Sequence, residues 1–506
     1  EASRKGSQVA MGKLILAIDQ STQGTKALLF QEDGSLLAKT SLPHTQYVNE
    51  QGWVEHDAEE ILRNVCACVE TLMQESGARA EDITAFGISN QRETCLAWNR
   101  TTGKPLGRAI VWQCGRAAAL CDELRHTHPE AEELVQDRSG LALSPYFSAA
   151  KMSWMLQNVP EVQEAAKTGT LCFGTIDSWL AYSLCEGHPF VTEPSNACRT
   201  QLLNLETAEW DEDLLALFGI PRSALPEVLP SDACFGVSDF GGALPAPISL
   251  HAMLGDSQAA LAAQDCLKPG EVKATYGTGS SVMLMAGDAP IRSTHGLVSS
   301  IAWNLEGRLS YVLEGNLNYT GAVVSWLKDR VHLIESPSEL EKLISEANPN
   351  DRSYFVPAFT GLGAPWWDSA ATGMLTGVTT LTGRAEIAKA CAECIPYQIA
   401  DVLDALRADT GLALQTLRAD GGVTKNAYLM QFQADMAKAA VEVSKLAELS
   451  AAGAAFAAGR GCGLWTANVI HERYGHETYT PEMAEEMRQS KRSGWQAALR
   501  QVRCHS

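Results

Sequence analysis

Leu14-Ile-Leu-Ala-Ile-Asp19-Gln-Ser21-Thr22-Gln23-Gly24-Thr25-Lys-Ala-Leu-Leu-Phe30 sets two apolar runs on either side of a short, hydroxyl-rich turn, with an acid at its first corner. Each run has the length and composition of a buried strand. The turn between them is therefore tight, and its hydroxyls and backbone N–H groups can line a concave nest suited to phosphate oxygens. Asp19, at the strand end, suits Mg²⁺, a hard cation that prefers carboxylate oxygens and keeps most of its water. An ordinary polar hairpin would carry the same residue types, because short polar turns are common. The rest of the chain decides between the two.

A chain of 506 residues, 45% hydrophobic, can bury large cores and by length holds two or more domains. Its longest small-apolar run, Leu449 to Gly459, falls well short of the roughly 20 residues of a membrane helix. With no secretory apolar segment near the start, a cytoplasmic address is expected, and no membrane partner. Glu1 to Ala10 lack periodicity and precede a plausible initiator Met11, so they read as an expression remnant. The formal net charge of −20 argues against a nucleic-acid or anionic-membrane partner. An anionic substrate has to be met by a local cluster of donors. The 14 cysteines are expected to be reduced thiols, since no second pair or histidine cluster completes a zinc set around Cys66 and Cys68 or Cys391 and Cys394. Cys391 and Cys394 share a helical stripe with Ile387, Ile395, Val402 and Leu406, which reads as core.

Taken in order, Ser35 to Thr40 gives a third strand of an antiparallel meander, and apolar positions 61, 62, 65, 69, 72 and 73 mark an amphipathic helix from near Ala58. Ile83 to Ile88 is a buried strand ending in Ser89-Asn-Gln-Arg92-Glu93. Two charged side chains there stand either as a surface ion pair or at the mouth of a sheet, where ligand crevices lie in open α/β folds. Ala109 to Gln113 reads as another strand, Ser144 to Phe147 leads into a helix carrying Lys151, and strand and helix alternate from Thr170 to Leu184 and from Ala197 to Leu205. Leu250 to Leu261 is an apolar approach, a Gly255-Asp256 corner and an alanine-rich helix start. Asp256 is either a helix cap or a base kept ionised beside the helix's positive end.

After Pro269-Gly270 the opening pattern recurs: Val272 to Tyr276, a Gly277-Thr278-Gly279-Ser280-Ser281 turn, then Val282 to Met285. Strand, hydroxyl-rich turn and strand, met twice about 260 residues apart, predict two domains of one architecture whose turns pinch one phosphate chain. The boundary falls between 266 and 267. Thr320-Gly321 opens a helix with Val324 and Trp326, a long helix runs from about Glu386 to Arg407 with a kink expected at Pro396, and Asp420-Gly421-Gly422 joins a strand to a helix beginning near Asn426. The paired glycines leave room for a ring or phosphate to approach the backbone.

From about Leu14 to Gly459 the chain resembles the FGGY carbohydrate kinases, and among them the glycerol kinases most closely. The likeness is carried by Gly52-Trp-Val-Glu-His-Asp57, Ile88-Ser-Asn-Gln-Arg-Glu-Thr94, Ala109-Ile-Val-Trp-Gln-Cys114, Gly255-Asp-Ser-Gln-Ala-Ala-Leu261, Tyr276-Gly-Thr-Gly279, Val356 to Pro365 and Asp420-Gly-Gly422. Two longer signatures, Tyr146 to Asn158 and Gly373 to Glu393, add to it. The resemblance implies an α/β fold of two ribonuclease-H-like domains of the actin and hexokinase type, with ATP and Mg²⁺ in a cleft between them, and a homo-oligomer, dimer or tetramer. Carried over residue by residue, it puts Asp256 on the catalytic base, Arg92, Glu93 and Tyr146 on polyol-binding positions, and Trp112 on the pocket's apolar wall. Ser21, Thr22, Gln23 and Thr278 fall on the phosphate loops, and Gly321, Ser325, Gly422 and Asn426 on positions around the nucleotide. Asp19 falls on the metal side.

Chemistry agrees with this assignment. Moving a γ-phosphoryl group needs in-line positioning and charge neutralisation more than covalent help. Asp256 would accept the attacking hydroxyl's proton, while Arg92, always protonated, can only orient oxygens and Glu93 can accept from hydroxyls. Two departures from the glycerol kinases enlarge the polyol pocket: Ser257 stands where they carry Gln, and Ser281 where they carry Phe. A third, Ser21 in place of Gly, adds a hydroxyl to the first loop. The first expectation is phosphorylation of glycerol to glycerol 3-phosphate. The alternatives are a four-carbon polyol or ketose such as erythritol, threitol or erythrulose, and, in another class, a non-catalytic nucleotide-dependent sensor.

Overall fold

The computed structural model describes residues 12–368 and 370–503. The leader at 1–10 and Met11 lie outside the described residues. The chain divides into two compact units. Unit 1 takes the residues up to Asp265 together with Ile301–Leu309 and Glu448–Arg473, and unit 2 takes Cys266–Ser300, Ser310–Ala447 and the residues from Tyr474.

Unit 1 is built on β1 (Leu14–Gln20), β2 (Gly24–Gln31), β3 (Leu36–Pro43), β4 (Ile83–Asn90), β5 (Gly236–Ser238) and β6 (Ile248–Gly255). These form one sheet in the order β5-β6-β4-β1-β2-β3. β1, β2 and β3 make the expected antiparallel meander, with Asp19 opposite Lys26. β4 runs parallel to β1 with Ser89 beside Asp19, and β6 runs parallel to β4 with Gly255 beside Asn90. Parallel pairing brings the carboxyl ends of β1, β4 and β6 to one edge, so Asp19, Arg92 and Asp256 leave the sheet on the same side.

The helix Ala58–Ser76 covers one face of this sheet. Asp57 caps it by accepting from the Glu59 and Glu60 N–H groups, and its buried stripe is Ile61, Val65, Cys68, Val69 and Leu72. On the other face the helix Leu449–Gly461 packs against β1, β4 and β6. It needs small residues: a Cβ on Gly453 would stand 1.8 Å from the Ala259 carbonyl oxygen, and one on Gly87 in β4 would stand 2.3 Å from that of Ala454. The alanine-rich run is thus a close-packing face of the core.

Two expected elements differ. The strand near Ala109 is only Ala109–Ile110, because the Trp112 N–H donates to the Thr94 hydroxyl at 3.2 Å instead of extending the ladder. Between Ala197 and Leu205 no strand forms; Pro194–Ala197 is one helical turn capped by the Glu193 carboxylate, and Cys198–Thr200 continues as a tighter turn.

A second sheet repeats the pattern. β7 (Val272–Tyr276), β8 (Ser280–Gly287), β9 (Val298–Leu305), β10 (Arg308–Leu317), β11 (Thr416–Gly421), β12 (Ala440–Ser444) and β13 (His476–Tyr479) form a sheet in the order β9-β10-β8-β7-β11-β12-β13. β7 and β8 form the second hairpin, and β11 runs parallel to β7 as β4 does to β1. The helix Arg384–Thr410 passes through Pro396 without interruption, and Cys391 and Cys394 are buried in it. Among the described residues the cysteines are free thiols, no cluster of three or more metal-type ligands occurs, and no helix is long and apolar enough to cross a membrane.

Candidate active site

In unit 1 the ends of β4 and β6 bring three ionisable groups together. Arg92 Nε lies 3.4 Å from Asp256 Oδ1 and 4.0 Å from Glu93 Oε1. Arg92 and Glu93 are buried, whereas the Asp256 side chain is 37% exposed and so open to a substrate. Asp256 is the first residue of the helix Asp256–Ala263, and the cap position belongs to Gly255. Its Oδ1 accepts from the Ser257 N–H at 2.7 Å, which fixes the carboxyl group at the start of the helix. Gly255 is required by its neighbour: a Cβ there would stand 2.8 Å from Arg92 Cγ and Cδ.

Glu93 has a positive φ of 61°, a strained backbone state for a residue with a Cβ and one that clusters at functional sites. Two groups hold it. Arg199 Nε donates to Glu93 Oε1 at 2.6 Å, and the Ser148 hydroxyl donates to the Glu93 carbonyl at 2.8 Å. The Trp112 and Tyr146 rings, expected at the polyol site, are neighbours with centroids 5.5 Å apart. Tyr146 sits on a loop gathered by the fully buried Lys151, whose ammonium donates to the carbonyls of Pro145, Tyr146 and Phe147 at 2.7, 2.5 and 3.0 Å. Burial pulls the Lys151 pKa down to about 8.

The first hairpin turn lies at the same sheet edge. Thr22 Oγ1 accepts from the Trp112 indole N–H at 2.9 Å, so its own hydroxyl proton remains to be donated to an anion. Ser21 spends its hydroxyl on the Gly24 carbonyl at 3.0 Å and closes the turn, while Gln23 is exposed. Asp19 is buried, and its Oδ1 has no hydrogen-bond partner among the described residues. Burial pushes its pKa up to about 6, against the pull of Lys26 and with repulsion from Asp256 adding to the rise. Lys26 Nζ is shared between Glu448 at 2.7 Å and Asp19 at 3.9 Å.

Unit 2 holds a pocket of about 620 Å³, within the usual range for small-molecule sites. Thr278, Gly321, Ser325, Gly422 and Asn426 all line it, with Val324, Pro337, Leu340, Val423 and Leu429 as apolar walls. The Gly321 N–H donates to the Gly277 carbonyl and the Ala322 N–H to the Thr278 carbonyl, both at 3.0 Å, locking the second hairpin turn to the start of the helix Gly321–Asp329. Asn426 caps the helix Ala427–Ala437 through its Oδ1, which leaves its Nδ2 as a donor for a ligand. A Cβ on Gly422 would meet no protein atom within 4 Å, so the room beside it is ligand space. Ser281 lies on β8 in this unit, and its hydroxyl donates to the buried Glu314 at 2.9 Å.

Arg199 and Gln258 also meet this cluster, although the sequence alone gave neither a role: Gln258 lies inside the Gly255 to Leu261 block, and none of the motifs quoted above contains Arg199. Gln258 Oε1 accepts from Arg92 at 3.3 Å, and its Nε2 donates to the Ile301 carbonyl at 3.2 Å. The available signal was the polar run Glu193-Pro-Ser-Asn-Ala-Cys-Arg-Thr200 set among apolar segments.

The described groups amount to a partly exposed acid beside a buried arginine and, on the other unit, a pocket lined by a hydroxyl-bearing turn. The chain belongs to the FGGY family of carbohydrate kinases, whose N-terminal domain matches residues 14–262 and C-terminal domain residues 272–462. It is an ATP-dependent phosphotransferase of that family. Glycerol kinase 1 of Thermotoga maritima is 42% identical over 490 residues, covering 96% of this chain and 99% of its own. Glycerol kinase of Carboxydothermus hydrogenoformans is 42% identical over 497 residues, covering 97% and 98%. Among solved structures, Plasmodium falciparum glycerol kinase with ADP superposes with a TM-score of 0.90 at 34% identity, covering 97% of this chain and 98% of its own. A bystander sensor is set aside by this membership together with the intact acid and arginine pair.

Proposed function

We propose that this protein phosphorylates a terminal hydroxyl of glycerol at the expense of ATP, yielding glycerol 3-phosphate and ADP. The observation that carries the reading is Asp256, partly open to solvent, with Arg92 Nε 3.4 Å from its Oδ1 and Glu93 beside that arginine. The terminal hydroxyl gives its proton to Asp256 as its oxygen forms the new bond to the γ-phosphorus. The bond to the bridging oxygen breaks, and ADP leaves with that electron pair. General-base help of this kind is typically worth about 10²- to 10⁴-fold. Arg92 directs its planar fork at the remaining polyol oxygens and Glu93 accepts from their hydroxyls, while Trp112 and Tyr146 face the carbons.

In unit 2 the apolar walls suit an adenine ring, with Asn426 Nδ2 and Ser325 as polar contacts and Thr278 at the phosphates. Transfer requires this nucleotide to reach Asp256 with water excluded. Asp19, whose buried Oδ1 lacks a partner among the described residues, fits a hydrated Mg²⁺. When bound, that ion neutralises charge on the transferring phosphates. A cytoplasmic homo-oligomer, dimer or tetramer, completes the reading and is tested by light scattering.

A coupled ADP assay over polyols of three to five carbons tests the substrate. Glycerol should give the highest kcat/KM; no turnover with any polyol refutes the reading. Ser257 and Ser281, both shorter than the Gln and Phe of glycerol kinases, favour a second reading in which a tetritol is preferred, and a tenfold preference over glycerol would establish it. Asp256→Asn should leave nucleotide binding intact and lower turnover at least about 10²-fold. Near-normal turnover removes Asp256 from the chemistry.

A further inference from the structure

The ends of β4 and β6 meet a polar node in unit 1. At its centre is Glu193, 0% exposed, whose carboxylate accepts five hydrogen bonds. Oε1 accepts from the Asn196 N–H at 2.7 Å, the Asn196 amide at 3.0 Å and the Ser195 hydroxyl at 2.5 Å. Oε2 accepts from the Ser195 N–H at 2.9 Å and the Ser231 hydroxyl at 2.7 Å.

Two arms leave this centre. Having given its proton to Glu193, the Ser195 hydroxyl accepts from the Gly255 N–H at 2.9 Å, one residue before Asp256. The Asn196 side chain pairs reciprocally with that of Asn90 at 2.8 and 3.0 Å, two residues before Arg92. Both amides and the hydroxyl are buried. The turn Pro194–Ala197 is too short to hold its own shape, so the orientation of both arms depends on the carboxylate that caps it.

We propose that Glu193 is a positioning residue for phosphoryl transfer, fixing Asp256 through Ser195 and the Arg92–Glu93 pair through Asn196 and Asn90. The inference rests on the kinase reading of that edge. Its chemistry demands a carboxylate. Five donors converge, and a glutamine would turn its NH₂ either onto the Ser195 N–H and Ser231 or onto the two Asn196 donors, leaving donor against donor in either orientation. A displacement of about 1 Å in a transfer geometry can lower rates by about 10²-fold, so a node outside the substrate's reach can control turnover.

The two arms predict different kinetics, which a merely structural role would not. Steady-state kinetics with glycerol and ATP, normalised to nucleotide-binding sites, should show Ser195→Ala lowering kcat about tenfold with glycerol KM within about twofold. Asn196→Ala should raise glycerol KM about fivefold or more with kcat within about threefold, and Glu193→Gln should do both while ATP KM stays within about twofold. Glu193→Asp, which keeps two acceptor oxygens, should recover at least about threefold in each parameter over Glu193→Gln. Per-site kinetics of Glu193→Gln within about twofold of wild type, whatever its melting temperature, overturn the inference. If Glu193→Gln does not fold, the single-arm variants decide: equal effects on kcat and KM, or none, overturn it. A wild-type protein that turns over no polyol overturns the kinase reading and this inference together, whereas an active wild type with indifferent variants overturns the inference alone.

Discussion

Replacing Arg199 by methionine keeps an unbranched apolar stem and removes the charge that holds Glu93. The pair is fully desolvated: Arg199 is 0% exposed, the Glu93 side chain 3%, and Nε meets Oε1 at 2.6 Å. Removing one member of a buried pair typically costs about 3–5 kcal/mol, because the survivor is left uncompensated. Two neighbours soften the loss. Arg92 Nε is 4.0 Å from Glu93 Oε1, an attraction of about 4 kcal/mol at an effective dielectric of about 20, and it strengthens if the carboxylate swings towards it. The Phe147 ring, 5.1 Å from the Arg199 guanidinium carbon, accepts a methionine sulfur nearly as well as a cation.

The expected destabilisation is therefore about 3 kcal/mol, the lower end of that range. At roughly 2–4 °C per kcal/mol, the calorimetric transition of unit 1 falls by about 6–12 °C. Because Glu93 moves towards Arg92, the guanidinium is drawn from Asp256, and glycerol KM should rise by about tenfold or more while ATP KM holds. The decisive quantity is a sign. Glu93→Gln with Arg199→Met removes both charges, so the double variant should melt above Arg199→Met alone. A single variant melting within 2 °C of wild type, or a double variant melting lower still, would falsify the argument that an unpaired buried charge dominates here.

Other predictions follow the same geometry. Gly255→Ala keeps an allowed backbone, φ −59° and ψ 145°, but drives a methyl into the Arg92 stem and Gln258 Oε1. Glycerol KM should rise about tenfold with the fold intact by circular dichroism, and an unchanged KM would show that Arg92 has another course open to it. Gly422→Val fills open space beside the nucleotide walls, so ATP affinity by calorimetric titration should drop about tenfold while Tm moves by no more than about 2 °C. A fall in Tm without a loss of affinity would put that space inside the protein's own packing. For Lys151, burial moves the pKa below its ordinary value to about 8, so the charge is present below that pH and is lost as pH rises through it. Three carbonyls then share two N–H donors, the Tyr146 loop loosens, and glycerol KM should climb between about pH 7.5 and 9. In Lys151→Arg, which stays charged, the profile should be flat; a wild-type profile already flat contradicts the assignment.

The frame was legible because it repeats. A strand, a hydroxyl turn and a strand, written once at Leu14 and again at Val272, carry enough buried apolar length to fix two hairpins, and Asp19, after the first apolar approach, falls near a strand end by simple periodicity. Asp19, Arg92, Glu93 and Asp256 come to one edge because β1, β4 and β6 are parallel neighbours, a pairing that strand order settles and local sequence does not. Arg199 and Glu193 were silent for that reason. They reach the site from a turn more than a hundred residues beyond β4, where their charges read as ordinary polar surface until their burial is known.

Hydroxyl chemistry was the other silent part, since a sequence shows how many hydroxyls a turn has but not which are already engaged. Ser21 closes its own turn on Gly24, and Ser281 gives its proton to Glu314, so neither offers a donor to a ligand in this arrangement. Thr22 differs: it accepts from Trp112 and keeps its proton, which makes it the hydroxyl of the first turn able to donate to a phosphate oxygen. The same bond ties the Trp112 ring to the first hairpin turn, so a ligand that shifts the ring also moves the Thr22 donor. On the proposed reading, a longer polyol would be selected less by the volume freed at Ser257 than by whether its carbons leave the indole where Thr22 needs it.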